Sequence, residues 1–196
     1  MTGPDPLQYG WWVLSRAAGV TSFALASVAV IAGLAMSAKV SARPGGARAL
    51  RAVHEHAAVG ALIFLAVHGA ALLPDPWMHP GPAGVLVPGV VAYRPAAVAA
   101  GIVAAYMAGA LGLSFYARRR IGIARWRRVH RLTIVAWALA VVHVLTAGTD
   151  ATTIWLRTIL AATAAPIAVL FVARVLEGRR RAARATTIAG VRPTGL

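Results

Sequence analysis

No charged residue separates Arg16 from Lys39, and the intervening AAGVTSFALASVAVIAGLAMSA (17–38) is long enough to cross a bilayer as helix. Four more stretches behave alike: 52–73, 95–117, 128–149 and 151–173. A hydrocarbon core needs about 20 apolar helical residues, and helix is the default because lipid offers no partner to a bare peptide group. The sequence therefore predicts an all-α integral membrane bundle of about five spans. Pro95 suits a first helical turn, and Pro166 predicts a kink in the fifth span. The chain is 59% hydrophobic and 13% charged, unlike a soluble domain of 196 residues.

The net charge of +15 reads first as topology. Lys39 to Arg51 holds four basic residues, Arg118 to Arg131 seven, and the tail from Arg174 six. Only Arg16, Arg94 and Arg157 fall on the opposite side. The rich side is expected to be cytoplasmic, with the N-terminus outside and the C-terminus inside. Residues 1–173 then form the membrane domain and 174–196 a basic cytoplasmic tail. Topology accounts for the basic clusters without nucleic acid, and anionic lipid headgroups complement them. No signal peptide is evident, since residues 1–15 lack a basic start. Residues 73–94, rich in Pro and Gly, read as an ordered outer loop. Trp11, Trp12, Trp77, Trp126 and Trp155 lie near span ends, as an anchoring aromatic belt does. With no cysteine there is no disulfide, no iron–sulfur cluster and no thioether-linked heme.

Histidine carries the chemistry. His54 and His68 lie on the second span, His130 and His143 on the fourth. Both spans run the same way, so the pairs fall at two matching depths. Separations of 14 and 13 residues place the levels about 20 Å apart. Two helices that each offer two imidazoles at shared depths suit two stacked hemes, each held from both sides. Neutral imidazole is a good axial ligand, and two per iron leave no open position, which favours electron transfer. The phase is uneven. Fourteen residues return to within about 40° of the same face, whereas thirteen miss by about 140°. The fourth span thus needs local overwinding, a tilt, or rings that approach from different sides. His56 reads as structural or headgroup-facing, His79 as solvated, and Met36 and Met107 as packing. The competing reading is a heme-free scaffold or small transporter, but the repeats and polar path of a transporter are missing.

Three stretches carry a resemblance. WWVLSRAAGVTSFALASVAVIAGL is similar to the opening helix of ferric reductase-like transmembrane domains. RAVHEHAAVGALIFLAVHGAALL resembles their first heme helix and WRRVHRLTIVAWALAVVHVLTAGTD their second. The superfamily includes NADPH oxidases, ferric reductases and the heme-binding membrane subunit of the bacterial methionine sulfoxide reductase system. The resemblance implies two b-type hemes, with His54 and His130 as inner ligands and His68 and His143 as outer ones. It also matches Arg16 to a family arginine at the outer end of the first helix. Arg16 and Arg157 are candidates to pair the outer heme's propionates, and Arg51 and Arg131 the inner heme's. The expected activity is the transmembrane electron-transfer part of an oxidoreductase, multi-pass in a bacterial plasma membrane. Its donor would be a cytosolic flavoprotein reductase, which brings the flavin. Its acceptor outside would be ferric iron, oxygen, a quinone or a partner oxidoreductase. Family members are often drawn with six spans, and NADPH oxidases add a nucleotide domain. Here no G-x-G-x-x-G follows, so NADPH oxidation by the chain alone is not expected.

Overall fold

The structure, a computed structural model, describes residues 9–38 and 45–190, with side chains to residue 180. Every regular element among them is helical. The order is α1 (Gly10–Ser37), α2 (Gly46–Leu72), α3 (Gly81–Leu86), α4 (Pro95–Ile121), α5 (Ile123–His130), α6 (Thr133–Ala147) and α7 (Ile154–Gly190). Five helical spans are long and apolar enough to cross a membrane, with Ile123–Ala147 counted as one. The protein is a multi-pass membrane protein.

Small residues decide how the helices meet. α1 packs chiefly on α2, where Ala18, Ser22, Ala29 and Ala32 of α1 and Ala57 and Ala61 of α2 are buried. Without a hydrophobic drive between helices in lipid, close approach and interhelical hydrogen bonds supply the adhesion. Ser22 Oγ–H donates to the Ala61 carbonyl at 2.9 Å, a bond worth on the order of 0.6 kcal/mol. A second knot joins α1, α6 and α7. Phe23 stacks on Trp137 at 6.2 Å, Leu156 and Leu160 close over them, and Trp137 Nε1–H donates to Ser27 Oγ at 2.9 Å. Large apolar side chains such as Val59, Ile63, Leu113 and Val169 point outward, as lipid contact requires.

Two interruptions shape the fourth span. Gly122, at φ +89, separates α4 from α5 with a left-handed residue that favours glycine. The chain then breaks at Arg131–Leu132 between α5 and α6. There Leu132, Ile134 and Val135 donate to the carbonyls of Val129, Arg131 and Leu132, three residues back. Such tightened turns advance about 20° more per residue than an α-helix. They close part of the phase gap between His130 and His143.

Pro95 opens α4 at its first turn, as expected from its fixed φ. Pro166 lies inside α7, which continues past it and past residue 173 to Gly190. The basic segment after Arg174 is thus a helical extension of the last span through Gly190. The loop of residues 73–94 contains α3 and is held by polar caps, with Asp75 Oδ1 accepting from Trp77 and Met78 N–H groups.

Candidate functional site

A cavity of about 1800 Å³ runs along the bundle, and His54, His68, His130 and His143 all line it. The histidines meet in pairs. His54 and His130 have ring centres 6.2 Å apart and planes at 79°. His68 and His143 have centres 6.4 Å apart and planes at 72°. No group of three or more His, Cys, Asp or Glu side chains converges among the described residues, so the rings meet only two by two.

All four rings bond a main-chain carbonyl through Nδ1. His54 Nδ1–H donates to Ala29 O at 2.7 Å, and His68 Nδ1–H to Ser15 O at 2.7 Å. His143 Nδ1–H donates to Ala97 O at 2.9 Å, and His130 Nδ1–H to Leu111 O at 3.3 Å. A carbonyl can only accept, so Nδ1 carries the proton and Nε2 keeps its lone pair. That tautomer is the one a metal needs, with the carbonyl as the outer partner that orients the ring.

Glycine makes room for two of the rings and lies against a third. A Cβ at Gly101 would stand 2.5 Å from His143 Nδ1, and one at Gly19 would stand 2.9 Å from His68 Nδ1. A Cβ at Gly33 would lie 3.4 Å from His54. α1 thus receives the rings of α2, and α4 receives that of α6. Ser15 adds a hydroxyl that donates to His68 O at 3.0 Å. Among the described residues, no glycine Cβ position lies against the fourth ring, His130, which stacks on Trp126, centres 4.9 Å apart.

The spacing has a chemical meaning. An imidazole nitrogen sits about 2 Å from its metal and the ring centre about 1.1 Å farther, so two imidazoles across one ion stand about 6.3 Å apart. Both pairs match this. Two ligands are few for a bare ion but complete the shell of an iron whose other four ligands come from a porphyrin. The residues present therefore fit a heme at each level.

The other candidates are scattered. Arg16 lines the cavity near the His68 level, ion-pairs with Asp150 and lies over the Trp12 ring. Arg131 also lines the cavity, together with Arg127 and Arg174. Arg51 is exposed and is not part of the lining. Arg157 is likewise outside it, and its Nε–H donates to Ala151 O at 3.1 Å. His56 is exposed, with Nδ1–H on the Ala52 carbonyl at 2.7 Å, and His79 lies exposed in the loop. Met36 borders the cavity, whereas Met107 does not.

Sequence reasoning missed Gly19, Gly33, Gly101, Ser15 and the role of Trp126 beside His130. The signal for the glycines was small residues inside apolar helices, which mark close approach in membranes. What they approach is decided in three dimensions.

No curated protein and no solved structure matches the chain. Residues 18–141, more than half of it, match the family described as ferric reductase like transmembrane component. That stretch holds α6 up to residue 141, without its last six residues, and three of the four paired rings. Domains of this family are typically heme-associated and serve as the membrane part of electron-transfer systems. The chain belongs to the ferric reductase-like transmembrane family.

Proposed function

We propose that the protein is a di-heme b-type cytochrome that moves electrons across a bacterial plasma membrane. Four histidines in two opposed pairs, each with Nδ1–H tied to a main-chain carbonyl, carry this reading. His54 and His130 hold one heme, and His68 and His143 the other. When bound, each heme supplies a one-electron ferric/ferrous couple.

The chain's own residues do the rest. The four carbonyl-anchored imidazoles fix the rings before a metal arrives, so little order is lost on binding. With two imidazoles at each level, a heme held there would keep no coordination position for oxygen, which would direct the site to electron transfer. The lining between the histidine levels is mostly apolar, which lowers the local dielectric. Arg16, ion-paired with Asp150 at one level, and Arg131 at the other line the cavity and would be the cations available to heme propionates. The basic end, with Arg118, Arg119 and Arg120 on α4 and Arg125, Arg127 and Arg128 on α5, faces the cytoplasm under the positive-inside rule. It is the docking face for an acidic flavoprotein reductase. The acceptor lies beyond the His68 level, as ferric iron, oxygen, a quinone or a partner oxidoreductase.

Reconstitution tests this. Protein in sealed vesicles, with ferricyanide trapped inside and a reductant outside, should pass electrons inward. Bleaching of the trapped ferricyanide no faster than in protein-free vesicles would refute the proposal.

A further inference from the structure

Trp126 and Ser114 are linked to His130, the paired ring against which no glycine lies among the described residues. Trp126 stacks on His130 with planes 24° apart, and meets the Phe115 ring at 66°, centres 6.0 Å apart. Its Nε1–H donates to Ser114 Oγ at 3.0 Å. Ser114 Oγ–H donates in turn to the Leu111 carbonyl at 2.6 Å. That same carbonyl accepts from His130 Nδ1–H at 3.3 Å, the longest of the four ring bonds. One oxygen of α4 thus serves both the serine hydroxyl and the histidine ring, and the tryptophan closes the circuit.

On the reading of His130 as a heme ligand, we infer that Trp126 and Ser114 are positioning residues for His130. They set its ring plane and the strength of its Nδ1–H bond, and through these the potential of one heme only. At the other three rings, close packing against a glycine and a bond of 2.7–2.9 Å do this work. At His130 the flat indole face replaces the glycine wall. The serine hydroxyl draws on the Leu111 carbonyl and leaves the imidazole a weaker partner. A weaker bond at Nδ1 makes the imidazole a less basic ligand, which favours the ferrous iron. Trp126 is thus more than the membrane anchor that its place at a span end suggested.

The test uses the full chain with heme, by redox titration and by electron paramagnetic resonance of the ferric form. Ser114→Ala frees the Leu111 carbonyl for His130. The midpoint of the His54/His130 heme should then fall, with about a tenfold change in its reduction equilibrium, or about 59 mV for one electron. Trp126→Leu removes the stack, so the low-spin ferric signal of that heme should broaden or shift. Trp126→Phe keeps a flat face and should restore it. The His68/His143 heme is the internal control for folding and should not move. Equal shifts in both hemes would mean general loosening and would overturn the inference. So would a Ser114→Ala midpoint that is unchanged or raised, or a Trp126→Leu signal like that of the unaltered protein. An unaltered chain that binds no heme would remove the underlying reading, and the positioning role with it.

Discussion

His54 and His130 come from different spans, 76 positions apart in the chain, yet their rings face each other 6.2 Å centre to centre with planes at 79°. His68 and His143 repeat the relationship at the other level. Replacing either member of a pair should therefore give one phenotype. His54→Ala and His130→Ala should each remove or convert to high spin one heme, and His68→Ala and His143→Ala the other. His56→Ala should keep both, because that ring is exposed and bonded only to its own helix. Heme content and potentiometric titration measure this. Loss of one and the same heme in His54→Ala and His68→Ala would break the pairing.

The glycines predict a graded series. Gly101→Ala sets a methyl 2.5 Å from His143 Nδ1, Gly19→Ala sets one 2.9 Å from His68 Nδ1, and Gly33→Ala meets His54 at 3.4 Å. Overpacking typically costs about 1–3 kcal/mol, so the first should be the most damaging and the last close to neutral. The first two should disturb the His68/His143 heme alone. Heme occupancy in the three variants, measured side by side, checks the order. A Gly33→Ala protein more impaired than Gly101→Ala would contradict it.

Much of this was legible in the residues. The five spans follow from uninterrupted apolar length, and the histidines share depths because α2 and α5–α6 run parallel. The break at Arg131–Leu132 was legible only as a problem of phase, since no proline or glycine marks it. The glycine cradles were not legible, because a small residue in an apolar helix looks the same whether it meets an imidazole or an alanine. Arg16 was read as a cation awaiting a propionate. Its partner Asp150 lies 134 positions away in the loop before α7, a tertiary contact with no local signature.

That ion pair gives two signed predictions. Arg16→Gln removes a cation near the His68 level, so the ferrous state becomes harder to reach and that heme's midpoint should fall. Asp150→Asn leaves the guanidinium uncompensated, and the midpoint should rise. Charges at this range act with on the order of 1 kcal/mol, or roughly 40 mV for one electron. Redox titration of both variants reads the sign. Shifts in the same direction would show that the pair does not act on the heme through charge.

Reduction by NADPH should need a second protein. A nicotinamide gives up a hydride, whereas heme iron takes one electron at a time, and a flavin makes the conversion. The arginines of α5 beside His130 should steer such a donor, so its rate should fall as salt rises, the Debye length shrinking from about 10 Å at 0.1 M to about 3 Å at 1 M. Heme reduction by NADPH, with and without a flavin reductase, measures it. Fast reduction of the purified chain without added flavin would contradict the expectation.

The central claim is that the four paired histidines hold two b-type hemes per chain. A reduced-minus-oxidised spectrum of the purified protein, calibrated for heme and for protein, tests it most directly. Sharp low-spin b-type bands and two hemes per chain are expected. A spectrum without a b-type band, or a single heme per chain in fully loaded protein, would contradict it.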